Sequence, residues 1–161
     1  MLNFDKKNIF RIVFLISLFA LTSAYFIEYV LGYQPCNLCL IERMAYMGAL
    51  IIIIIKFKFK HLEKYLILVL VIIFLASTLI SLYHLGIEQG LITESLVCDL
   101  KDSSNILSKE EILLQLQQKI VSCKDVTFKI FGFSLTTLNV LISLLITIIL
   151  TKIYLGYEKN K

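Results

Sequence analysis

The residues best equipped for chemistry are four cysteines, Cys36, Cys39, Cys98 and Cys123, and an arginine, Arg43. The first pair forms a Cys-x-x-Cys in Gln34-Pro35-Cys36-Asn37-Leu38-Cys39-Leu40-Ile41-Glu42-Arg43, where a polar turn meets a long apolar run. Proline suits the entry to a helix, where its missing N–H is not needed. A helix starting near Asn37 places Cys39 in its first turn, where the dipole and free N–H groups favour an anion. Arg43, four residues on, lies on the same face. Both effects favour a reactive thiolate at Cys39. An arginine inside an apolar span is costly unless it reaches water, headgroups or a partner, so its place near the rim matters. Cys-x-x-Cys serves redox chemistry or metal binding. A four-cysteine zinc site is the rival, but the second pair lacks the second Cys-x-x-Cys that most such sites use.

Cys98 and Cys123 lie in the one long polar stretch of the chain. A disulfide between them would close a loop worth roughly 3 kcal/mol in the chain-entropy model. Two pairs on one face also permit thiolate–disulfide exchange. Four cysteines allow three pairings, and spacing leaves all three open. His84 and Glu88 stand one turn apart at the end of the third apolar run. Such a histidine either anchors the helix at the interface or hydrogen-bonds a bound carbonyl.

These residues need a scaffold, and the composition dictates which kind. The chain has 161 residues, 58% of them hydrophobic, with one proline and no tryptophan. That apolar share exceeds the usual value for a soluble domain. The net charge of +4 does not point to nucleic acid, because the basic residues flank apolar runs in small groups. Four runs reach the roughly 20 residues that a membrane-crossing helix requires. They fall at about 10–31, 37–55, 65–85 and 131–153. The first also has the layout of a cleavable signal peptide, with Lys6-Lys7 ahead and Thr22-Ser23-Ala24 within. Its apolar character continues through Tyr25-Phe26-Ile27, which favours a retained span.

Lys6, Lys7 and Arg11, the Lys56–Lys64 loop and the basic C-terminal tail mark the cytoplasmic side. Both termini are expected inside. The turn at 32–36 and the loop at 86–130 then face the opposite compartment, which in a bacterium is the periplasm, where disulfides persist. Within that loop Ser108-Lys109-Glu110-Glu111 reads as a capping box. Ile112, Leu113, Leu116 and Ile120 follow at helical spacing, as in a helix lying on a membrane surface or packing on the loop itself. The expected fold is an all-α membrane protein: a single integral-membrane domain built as a four-transmembrane-helix bundle with a long periplasmic loop containing a short amphipathic helix.

The pattern Pro35-Cys36-x-x-Cys39-x-x-Glu42-Arg43 resembles the signature of the DsbB family, the quinone-linked disulfide bond formation proteins of bacterial inner membranes. Tyr83-His84-x-Gly86-Ile87-Glu88-x-Gly90, then Cys98-Asp99, resemble that family's approach to its third cysteine. Phe131-Gly132-Phe133-Ser134-Leu135, with Asn139 beyond, resembles the start of its fourth helix. Ser95-Leu96-Val97 lacks the proline frequent there, and Phe128 and Leu138 stand where tryptophans are common.

The resemblance implies roles. Cys98 would form a mixed disulfide with a DsbA-like thioredoxin-fold oxidase of the periplasm. Cys123 would be its resting partner and exchange with Cys36. Cys39 would face a membrane quinone, ubiquinone or menaquinone, with Arg43 stabilising the thiolate and the reduced ring, and His84 in the quinone pocket. A vitamin K epoxide reductase-like enzyme and a disulfide-stapled scaffold without activity are the alternatives. In the former family the quinone-side Cys-x-x-Cys comes near the C-terminal end, whereas here it opens the second span.

Overall fold

The computed structural model describes residues 6–59, 62–93, 122–124, 129–130 and 133–159. Cys98 and the amphipathic segment expected at 108–120 lie outside the described residues. Four helices dominate: α1 (Lys6–Tyr29), α2 (Asn37–Lys58), α3 (Glu63–Glu88) and α4 (Leu135–Lys159). Between α3 and α4 a short antiparallel ribbon pairs β1 (Lys129–Ile130) with β2 (Phe133–Ser134), in the register Lys129↔Ser134 and Ile130↔Phe133.

The helices have 24, 22, 26 and 25 residues. At about 1.5 Å per residue, each exceeds the roughly 30 Å hydrocarbon core of a bilayer. All four are apolar enough to cross a membrane. Their outward faces carry large exposed apolar side chains, among them Phe19, Phe26, Ile51, Ile54, Ile72, Leu79 and Leu145. Water would not tolerate so extended an apolar surface, and lipid would. The chain is a multi-pass membrane protein.

Local signals set the helix ends. Cys36 caps α2 itself: its backbone is extended (φ −75°, ψ 168°), and its sulfur accepts from the Cys39 N–H at 3.3 Å. That task usually falls to a serine or aspartate oxygen. Lys56 and Lys58 occupy the last turn of α2, where cations suit the helix dipole. α3 ends at Gly90, whose φ of +73° favours glycine. There the Leu91 N–H reaches the Gly86 carbonyl at 2.9 Å and the Gly90 N–H reaches that of Ile87 at 2.9 Å, a Schellman closure. The turn folds Ile92 tightly over Gly86, where an added Cβ would meet its Cδ1 at 2.7 Å.

The fourth helix begins at Leu135 rather than near Phe131. The Ser134 hydroxyl accepts from the Thr137 N–H at 3.2 Å, capping the helix there, while the residues before it are drawn into the ribbon.

The closest helix pairing is α3 with α4, then α2 with α3 and α1 with α2. Phe10 and Val13 of α1, Ala49 and Ile53 of α2, Ile67, Leu70 and Phe74 of α3, and Ile146 and Leu150 of α4 form one core. At one end of the bundle Lys56 lies 3.8 Å from Glu63 and 3.7 Å from the centre of the Phe10 ring. Lys64 approaches the Tyr154 ring at 5.6 Å. The basic helix ends therefore gather at one end of the bundle, and Cys36, His84 and the start of α4 gather at the other.

Candidate active site

Cys36 and Cys39 are both free thiols, with sulfurs 2.7 Å apart. That is beyond the roughly 2.05 Å of a disulfide and short enough that a small side-chain rotation closes one. Cys36 is 6% exposed and packs in one buried cluster with Leu38, Ile87 and Cys123. Cys123 is disulfide-bonded. A free thiol thus packs in the same small cluster as a disulfide-bonded cysteine, the precondition for exchange.

The Cys39 thiol donates toward the Cys36 sulfur, and the backbone N–H groups of Cys39 and Leu38 add to it. These donors hold the Cys36 thiol below the ordinary value of 9.0, against the opposing pull of burial and of the Glu42 charge. Reduced protein should therefore alkylate at Cys36 at a lower pH than a free thiol. Cys39→Ala, which removes the leading donor, should move that profile to higher pH, and Cys39→Ser should restore part of the difference. Mass-resolved alkylation across a pH series reads this, and coincident profiles would refute it.

His84, 1% exposed, stands beside the pair with Nε2 3.5 Å from the Cys36 sulfur. Its Nδ1 lies 3.0 Å from Glu42 Oε1 and 3.4 Å from Thr136 Oγ1. The Thr136 hydroxyl spends its one hydrogen on Glu88 Oε1 at 2.6 Å. An ionised Glu42 can only accept. Both neighbours therefore call for a hydrogen on Nδ1. In the neutral ring that leaves the Nε2 lone pair aimed at Cys36, placed to take the thiol proton.

Glu42 is the hub of this network. Its Oε2 accepts from Asn139 Nδ2 at 2.8 Å, and the same amide donates to Ser81 Oγ at 2.7 Å. The Tyr46 hydroxyl donates to Asn139 Oδ1. One buried carboxylate on α2 thereby fixes His84 of α3 and Asn139 of α4. Glu88 fastens the same end: it accepts from Ser134 at 2.7 Å and from Thr136, tying the end of α3 to the start of α4.

Arg43 has a partner on another helix that spacing along α2 does not reveal. Its guanidinium donates to Glu28 of α1 and lies 5.2 Å from the centre of the Tyr25 ring.

Arg43 nevertheless lines the same cavity as both thiols. This cavity has a volume of about 760 Å³. Leu15, Phe19 and Ile27 of α1 and Leu138, Ile142 and Leu145 of α4 form apolar walls, and Cys36, Cys39, Glu42, Arg43 and His84 form a polar end. The size and lining are those of a small-molecule site.

Of the residues expected at the site, Cys36, Cys39, Cys123, Arg43 and His84 share this cavity, and Cys98 lies outside the described residues. In the sequence Glu42 stands out only as part of the signature around Cys36 and Cys39, and nothing there marks Tyr46, Ser81 or Thr136. The available signal was Glu42 itself, a carboxylate inside an apolar span, which by default marks function.

Comparison with known proteins shows which family the chain belongs to. The family model for disulfide bond formation protein DsbB matches residues 6–153. The uncharacterized protein RP370 of Rickettsia prowazekii (strain Madrid E) is 32% identical, with 99% of this chain and 96% of that protein aligned. Disulfide bond formation protein B of Marinobacter nauticus (strain ATCC 700491 / DSM 11845 / VT8) is 39% identical over 47 residues, 29% of this chain and 28% of its own. With a match over nearly its whole length, a thiol pair at a membrane-helix terminus and a disulfide-bonded cysteine packed beside it, the chain belongs to the DsbB family of disulfide bond formation membrane proteins.

Proposed function

We propose that this protein is a protein-dithiol:quinone oxidoreductase of the bacterial inner membrane. It reoxidises a DsbA-like thioredoxin-fold protein in the periplasm and passes two electrons to a membrane quinone, ubiquinone or menaquinone. The observation that carries this reading is the shared position of the free Cys36–Cys39 pair: beside disulfide-bonded Cys123 on one side, at the polar end of a long apolar cavity on the other. A quinone ring with its isoprenoid tail suits such a cavity, with the ring at the thiols and the tail between the walls of α1 and α4.

The steps balance. The partner's thiolate attacks Cys98 and releases Cys123. The partner's second thiol resolves the mixed disulfide and leaves oxidised. Cys123 and Cys98, now reduced, pass their two electrons to the Cys36–Cys39 disulfide by exchange. The Cys36–Cys39 dithiol would then give up two electrons and two protons as its disulfide re-forms, with a quinone bound in the cavity as the acceptor. When bound, the quinone supplies the terminal electron acceptor.

The chain's own groups serve these steps. Nε2 of His84 takes the Cys36 proton, and Glu42 holds the ring for that transfer. Arg43 lends positive charge to the cavity, moderated by Glu28. The buried surroundings of Cys36 exclude water from the exchange. The basic helix ends mark the cytoplasmic side, so the thiol end of the bundle faces the periplasm.

The test mixes purified protein with a reduced thioredoxin-fold partner and a quinone and follows quinone absorbance. Absorbance should fall in proportion to partner thiols consumed, and Cys98→Ser should stop this while leaving Cys36–Cys39 reducible by small thiols. Thiol-independent turnover, or none with quinone demonstrably bound, would overturn the assignment.

A further inference from the structure

We propose that the reduced Cys36–Cys39 pair and His84 form a three-ligand site for a thiophilic divalent cation such as Zn2+ or Cd2+, and that its occupation locks the pair reduced and halts electron transfer. The first half stands on geometry alone. The second rests on the function proposed above.

The two sulfurs and a ring nitrogen of His84 all lie within 4.8 Å of one another. A tetrahedral site with metal–sulfur bonds of about 2.3 Å and a metal–nitrogen bond of about 2.05 Å separates sulfur from nitrogen by roughly 3.6 Å. Cys36 Sγ and His84 Nε2 already stand 3.5 Å apart. Ligand sulfurs at the same bond lengths sit roughly 3.8 Å apart, against 2.7 Å here. Opening the pair by about 1 Å is a side-chain rotation, because Cys36 and Cys39 are three residues apart at a helix start.

The surroundings match a metal site further. A ligating histidine gives its second ring N–H to a carboxylate, which fixes the tautomer and raises ligand basicity. Glu42 Oε1 holds Nδ1 at 3.0 Å and leaves the Nε2 lone pair toward the thiols. The Cys39 backbone N–H already points at the Cys36 sulfur and can stabilise it as a bound thiolate. Charge also closes: two thiols release two protons, and two thiolates plus a neutral imidazole and a divalent cation form a neutral centre. Neutrality matters, because an uncompensated charge in these apolar surroundings is expensive. Cys36, Cys39 and His84 all line the cavity, so a fourth coordination position has room for water or a small anion. Disulfide and metal exclude each other, since an oxidised pair has no thiolates to offer.

Full-length protein in detergent, reduced and freed of reductant, should bind one Cd2+ per chain and show a thiolate-to-metal charge-transfer band in the ultraviolet. X-ray absorption at the cadmium edge should find two sulfurs and one imidazole nitrogen. Glu42→Gln should weaken binding by about 10- to 100-fold, the usual effect of losing an outer-shell partner, and His84→Gln should weaken it more. A four-sulfur shell would assign the metal to all four cysteines and overturn the site, as would unchanged affinity in His84→Gln. If that variant fails to fold, the wild-type absorption spectrum decides alone.

A band in protein with Cys36–Cys39 oxidised would also refute the site. In the turnover assay, Zn2+ should stop quinone reduction and a chelator should restore it. Tight binding without inhibition would overturn the regulatory half. Because binding is read without quinone or partner, its failure is distinct from failure of the oxidoreductase assignment.

Discussion

Cys39→Ser should lower quinone reduction by on the order of 10³-fold or more, the scale on which removal of a covalent nucleophile acts, and should leave a Cys36–Cys123 disulfide accumulating in its place. The reason is the division of labour imposed by position. Cys36 packs with Cys123 in one buried cluster, and its sulfur is held toward the thiolate by the N–H of Cys39 and by its place at the start of α2. In this variant Cys36 has no thiol at position 39 to pair with, so its thiolate attacks the disulfide of Cys123, the working exchange run in reverse, aided only by the backbone N–H of residue 39. The bond formed is Cys36–Cys123, and the sulfur released is that of Cys98 in the proposed pairing.

Without Cys39 no neighbouring thiol resolves the new bond toward the cavity, so it persists. Peptide mapping under non-reducing conditions should find the Cys36–Cys123 cross-link in Cys39→Ser but not in Cys36→Ser, although both lose quinone reduction. Absence of the cross-link in Cys39→Ser would mean that Cys39, not Cys36, faces the second disulfide.

The parts of this protein legible in its sequence are those that depend on neighbours along the chain. Four apolar runs announce four helices, because spanning a bilayer requires a length and a composition and little else. The basic groups at Lys6–Arg11, Lys56–Lys64 and the C-terminal tail announce which helix ends belong together, and the structure brings the interior-facing candidates to one end. Cys36 and Cys39 announce themselves by spacing and by their place after Pro35.

What the sequence hides is contact between helices. Glu42 meets His84 across 42 positions and Asn139 across 97, and nothing in local periodicity joins them. Arg43 shows the same limit from the other side. Helical spacing places it on the face of Cys39, yet Glu28, fifteen positions earlier on α1, holds it. The start of α4 turned on a single hydroxyl: the Ser134 cap sets it, while Phe131-Gly132-Phe133 read as the opening of the helix.

The Glu42 network predicts the largest stability effect in the bundle. Glu42→Ala removes the acceptor for His84 Nδ1 and for Asn139 Nδ2 together, and leaves both donors in a nearly dry interior. Each buried donor left without its acceptor costs about 1–3 kcal/mol, so stranding two exceeds the roughly 1 kcal/mol lost with a single neutral hydrogen bond. Glu42→Gln keeps an acceptor oxygen for one partner but turns an N–H against the other, so its cost should fall between these values.

A double variant tests this coupling more sharply. If the cost of Glu42→Leu arises from stranding His84, then adding His84→Leu should cost much less than the sum of the two single changes, since an apolar pair strands nothing on that side. Asn139 would still lack its Glu42 acceptor but keep Ser81 and Tyr46, so recovery should be partial. Reversible unfolding in mixed micelles, measured for the wild type, both single variants and the double, closes this cycle. Strict additivity would show that Glu42 and His84 stabilise the bundle independently, and the carboxylate would then lose its place as the group that holds the imidazole toward Cys36.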